Sequence, residues 1–130
     1  MNVIDWTIVI PCVMIVFDFV TGYIAAMFIG TVDSKKMRNG MYGKLGELFA
    51  IVLSYFIEFA ISIYGADAIG INVSLPIGGG ICAYITLTEL ISIIENIGCM
   101  NPKIGAKLVE IIGINPDKVN LAPKGDDYDA

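Results

Sequence analysis

Three long apolar runs divide the chain, from about Trp6 to Ile29, Leu45 to Tyr64 and Leu75 to Ile94. Each has about the twenty residues an α-helix needs to cross the hydrocarbon core of a bilayer. None alternates polar and apolar residues as a barrel strand does. Backbone facing lipid must satisfy its own hydrogen bonds, so the runs predict three membrane helices. Trp6 and Tyr64 fall near run ends, where amphipathic rings favour the interface. The connections "GTVDSKKMRNGMYGK" and "GADAIGINVS" are short, with Ser74 placed to cap the third helix and Pro76 in its first turn.

Beyond the third run, Asn101 precedes Pro102, a pairing that starts a helix. Ile104, Leu108, Ile111 and Ile112 fall near one face, with Lys103, Lys107 and Glu110 elsewhere. This predicts a short amphipathic helix over 102–112, lying on the inner membrane surface or against a neighbouring subunit. The ending "APKGDDYDA" is acidic, carries two helix breakers and is expected to be disordered. The expected fold is an all-α integral membrane protein with three transmembrane helices and a short C-terminal amphipathic helix. Residues 1–98 form the membrane domain and 99–130 a cytoplasmic tail.

Composition agrees with that pattern. Of 130 residues, 56% are hydrophobic and only 16% charged, and the mean hydropathy is +0.75. A chain this small cannot hide so much apolar surface from water, which makes lipid its natural solvent. The eight basic residues lie in two places: Lys35, Lys36, Arg38 and Lys44 in the first loop, and Lys103, Lys107, Lys118 and Lys124 after the third span. Three spans put both groups on one side, and the positive-inside rule makes that side the cytoplasm, with the N-terminus outside. The first-loop group is a topology signal and a candidate contact for anionic lipid heads. The start "MNVID" lacks a basic stretch, and no small-residue cleavage site ends the first run, so that run reads as a retained span.

Chemistry is sparse. There is no His, no phosphate loop and no nucleophile–base pair, and Cys12, Cys82 and Cys99 lack metal-ligand spacing. No cofactor, metal or nucleic-acid partner is expected, and no enzymatic activity. Four acids nevertheless lie within or at the edges of the spans: Asp18, Glu47, Glu58 and Glu89. Glu95 sits at the inner end of the third helix. None has a cation within its own span, and an ionised acid near mid-membrane costs at least about 2.5–3.5 kcal/mol. Protonation, a polar partner on another helix, or water would relieve that cost.

Helical spacing sorts these residues. Asp18, Gly22, Ala26 and Gly30 recur every four residues, an acid followed by small side chains that let helices approach closely. Glu47, Ser54, Glu58 and Ser62 mark a related stripe on the second helix. Gly78, Cys82, Thr86, Glu89 and Asn96 do so approximately on the third, whose triple glycine at Gly78, Gly79 and Gly80 suits close packing or a local bend. Two arrangements fit: the polar faces pack inside one monomer, or they line subunit contacts or a pore.

The stretch "DFVTGYIAA" has Asp18, Thr21, Gly22, Ala25 and Ala26 in a D-x-x-T-G-x-x-A-A pattern. Ser34, Gly40 and Lys44 follow in the loop. "ELISIIENIGCMNP" then places Glu89, Ser92, Glu95, Asn96 and Pro102. In these features the chain resembles the bacteriophage holins of the group that includes clostridial toxin-secretion holins, over about residues 15–108. It departs in its acidic ending, where members often carry a basic tail, and in its short loop between Gly65 and Ser74. The resemblance implies a homo-oligomer in the bacterial inner membrane. It would open lesions that release an endolysin to the cell wall, or a large toxin, without binding that cargo. The rival reading is a small ion channel or an accessory subunit of a membrane complex, with Glu58 or Glu89 as a selectivity ring.

Overall fold

The computed structural model describes the backbone of residues 3–70 and 75–121. Ser74 and the acidic ending lie outside the described residues. Those described form four α-helices and no strand: α1 (Val3–Ile29), α2 (Ser34–Ile69), α3 (Ile77–Met100) and α4 (Pro102–Ile112), followed by a 3-10 turn at Pro116–Lys118. Three are long and apolar enough to cross a membrane, over Trp6–Ile29, Ser34–Gly65 and Ile77–Met100. The all-α, three-span fold with a short fourth helix is the one the apolar pattern predicts.

Local chemistry sets where the helices stop. α1 ends at Gly30, whose φ of 73° is a left-handed value that suits glycine. Its N–H bonds to Met27 O and that of Thr31 to Ala26 O, at 3.2 and 2.9 Å, a Schellman closure of the last turn. Asp33 then caps α2, its carboxylate accepting from Lys35 N at 2.8 Å. The first connection therefore shrinks to a tight turn. Helix α2 begins at Ser34 rather than near Leu45, so Lys35, Lys36, Arg38 and Lys44 are helical residues, not loop residues. Apolar content dates the start of a run; capping dates the start of the helix, and here the two differ by some three turns.

Helix α3 starts one residue beyond Pro76, which makes no side-chain cap bond. The cap comes from a neighbouring helix instead: Glu58 on α2 accepts from Gly78 N at 2.9 Å, an anion at a helix N-terminus. At the far end Asn101 breaks α3 and caps α4, accepting from Ile104 N at 3.3 Å with Pro102 at the first position.

Helix α3 is the centre. α1 packs along it most extensively, α2 and α4 pack on its other sides, and α1 meets α2 only slightly. One apolar cluster joins Ile15, Ile51, Cys82 and Ile85. Another joins Ile94, Val109 and Val119 under Leu121 and Ile114. The α3–α4 contact is backbone on backbone: a Cβ at Gly105 would lie 2.6 Å from Gly98 Cα. The outward faces carry large apolar side chains such as Phe49, Phe56 and Tyr84, as lipid requires.

Gly105→Leu should lift α4 off α3 at a cost of about 1–3 kcal/mol. Amide exchange across Pro102–Ile112 in detergent micelles is expected to speed by roughly tenfold or more, with α1 unchanged. Unchanged protection of α4 would mean the glycine contact does not hold it.

Candidate functional site

Asp18 lies about eleven residues before the end of α1, Lys44 about ten after the start of α2, and Glu89 about eleven before the end of α3. At 1.5 Å per residue, all three stand roughly 15–17 Å from the same end of the bundle. The tight Gly30–Asp33 turn makes α1 and α2 antiparallel in register, so Lys44 arrives level with Asp18. Its ammonium sits 2.7 Å from Asp18 Oδ2, 2.5 Å from Glu89 Oε2 and 3.7 Å from Glu47 Oε2. Glu89 is 1% exposed and Asp18 7%. One cation thus serves acids from all three spans. The acids outnumber it, and Glu47 Oε2 is buried without a hydrogen bond of its own.

Asn96 extends the network. Its amide donates to Asp18 Oδ1 at 3.0 Å and to Thr21 Oγ1 at 3.1 Å. Thr21 in turn donates to Asp18 O at 3.1 Å. Gly22 makes room for this: a Cβ there would sit 3.4 Å from Asn96 Nδ2. A cleft of about 380 Å³ leads to the network, lined by Asp18, Gly22, Ala26, Lys36, Lys44 and Asn96 among others. Farther along, the Cys82 thiol donates to Tyr55 Oη at 3.9 Å, and Glu58 holds Gly78. A polar seam therefore runs inside the protomer where α1, α2 and α3 meet.

The structure brings Asp18, Gly22, Glu47, Glu89 and Asn96 together. Ala26 is half-buried on the cleft wall. Gly30 is not on that face, because α1 ends before it. Ser54 is buried but bonds its own helix, at Ile51 O, and exposed Ser62 does the same at Phe59 O. Glu58 is the cap of α3, and Thr86 is half-buried. Lys35, Lys36 and Arg38 stand exposed on the first turns of α2. Lys44 is the correction: read as a basic loop residue that marks topology, it is the cation at the centre of the seam. The acids do have a basic partner, supplied by the helix that the apolar run alone had shortened. Equal distances from the turn to Asp18 and Lys44 were the available signal.

Three membrane-capable helices around a polar seam narrow the choices, and comparison narrows them further. The bacteriophage holin family matches residues 1–115. The chain belongs to the bacteriophage holin family. No curated protein and no solved structure matches it. The family match covers all three spans and α4, and together with the three membrane-capable helices it makes this chain a holin-type membrane protein. It stops short of the 3-10 turn and of Leu121, which packs over Gly98.

Lys44→Met keeps the stem of the side chain but leaves two buried carboxylates without their cation. Breaking a buried ion pair in this way costs about 3–5 kcal/mol. Thermal unfolding in micelles, followed by helical circular dichroism, should show that loss, and adding Asp18→Asn with Glu89→Gln should restore more than half of it. Equal stability of Lys44→Met and the parent would remove Lys44 from the centre of the fold.

Proposed function

We propose that this holin-family chain accumulates in the bacterial inner membrane, assembles with copies of itself and opens lesions. The lesions release an endolysin to the cell wall, or in the manner of toxin-secreting relatives a large protein. The observation that carries the reading is the polar seam. An apolar outer surface dissolves each protomer in lipid, while a seam of Asp18, Lys44, Glu47, Glu89 and Asn96 is stored inside it. Apolar packing of similar volume would hold three helices together at least as well. A charged seam offers something apolar packing does not: when α2 parts from α1 and α3, the exposed walls are wettable and can face an aqueous opening.

The opening acts without chemistry and needs no cofactor. Cargo passes through and is not bound. In the closed protomer Glu89 is held by Lys44 and Glu58 by the start of α3. Both carboxylates are occupied, which favours a lesion over a channel that uses either as a fixed selectivity ring. The cytoplasmic face is the end that carries Lys35, Lys36 and Arg38 on α2 and Lys103, Lys107 and Lys118 of the α4 region.

Induced expression in a bacterial host should release a folded cytoplasmic enzyme into the medium, and co-expressed endolysin should then lyse the cells. Ion leak without enzyme release would instead favour the channel reading. Separately, a reporter active only in the cytoplasm should function when fused after the last residue. A reporter active only outside should function before the first. The opposite pattern would invert the proposed topology.

A further inference from the structure

The α4 region meets α3 on one side only. Gly105 and Val109 are buried against α3, and Leu108 is half-buried beside them. Ile104 and Ile111, at i and i+7 with Leu108 between, are 51% and 69% exposed, and Ile112 is 45% exposed. Turning farther round the helix come Lys107 and then Lys103. The order around α4 is thus a face on α3, an open apolar edge, and a basic edge. The exposed Lys107–Glu110 pair, 3.0 Å apart, lies on that far side.

The placement of this unit rests on close packing. At the Gly98–Gly105 contact the two backbones approach so closely that a Cβ on Gly105 would lie 2.6 Å from Gly98 Cα. The segment after α4 crosses back over the contact: Leu121 lies on Gly98, Val119 joins Ile94 and Val109, and Asn120 N donates to Glu95 Oε1 at 2.9 Å. Only Asn101 separates α3 from α4, so α4 must sit where α3 leaves the bilayer. The same end carries Lys35, Lys36 and Arg38 on α2 and Lys118 on the 3-10 turn.

We infer that α4 is a lipid-binding surface selective for anionic membranes. Its Ile104–Leu108–Ile111 edge enters the acyl region, and Lys103, Lys107 and Lys118 reach lipid phosphates. Two features choose lipid over a second copy of the chain. The apolar edge lies on a helix that a single residue, Asn101, separates from a membrane-capable span, and lysines beside that edge complement phosphate. Basic side chains near an anionic surface act additively, each strengthening attachment by a similar factor.

The test uses the full chain reconstituted at low protein-to-lipid ratio in vesicles of phosphatidylcholine, or of phosphatidylcholine and phosphatidylglycerol in equal parts. Ile111→Trp in a Trp6→Phe background reports on the edge, with Ile104→Trp as a second reporter. The expected result is blue-shifted emission that chain-brominated lipid quenches by more than half. The quenching should be greater in the phosphatidylglycerol vesicles, and Lys103→Glu with Lys107→Glu should abolish that difference. Water-like unquenched emission overturns the inference. So does equal quenching in both vesicles, or quenching lost as protein density rises, which would assign the edge to a second copy. The parent Trp6 separately reports insertion of α1, so failure at α4 is distinguishable from failure of the membrane reading on which it rests.

Discussion

The packing of this protein depends on one ammonium group. Lys44 stands between Asp18 and Glu89, close to Glu47, and joins all three spans at a single level. In lipid there is no water to solvate any of these groups, so the partners must come from the protein. That requirement fixes the rest. It demands that α1 and α2 be antiparallel in register, which the Gly30 and Asp33 turn provides. It demands that α2 begin well before its apolar stretch, so that Lys44 is helical. It demands small or amide side chains at Gly22 and Asn96, where α1 and α3 come together around Asp18.

The interior is therefore layered. Apolar clusters lie on either side of the ionic level, one among Ile15, Ile51 and Ile85, the other among Ile94, Val109 and Val119. Between them the contacts are hydrogen bonds and ion pairs. This inverts the usual soluble arrangement, with large apolar side chains outside and charge within. A buried ion pair is seldom the most stable solution for a helix interface. Its presence here fits the proposed role, in which the interface comes apart into water.

Much of this was legible in the sequence. Run length and uniform hydropathy define the three spans. The Asn101–Pro102 pair marks the start of α4. The four-residue spacing put Asp18, Gly22 and Ala26 on one face. What the sequence left open was partnership. Periodicity tells which residues share a face, but not which face meets which, because that depends on the register between helices. Lys44 escapes for a related reason: it adjoins an apolar run that is shorter than its helix, whose start is set by Asp33, a capping residue outside that run. Gly30 escaped the other way. It keeps the stripe's spacing, yet its backbone ends the helix. The Gly98–Gly105 contact has no signal short of knowing that α4 folds onto α3.

Helix α2 is about 54 Å long at the usual rise, longer than the bilayer core it crosses; its charged side chains tie it to its neighbours at two points, Lys44 and Glu58, on either side of the apolar packing at Ile51. Gly40, Gly43 and Gly46 flank the first of these, with open space beside each of them. Glycine weakens a helix interior by up to about 1 kcal/mol per residue. The helix is thus a beam whose softest section lies directly at its clamp. While the ions hold, that section is stiffened by its attachment. Once they let go, the same section is where bending costs least, and the part of α2 nearest the basic end of the bundle would fold away first, while Glu58 still anchors the remainder to α3.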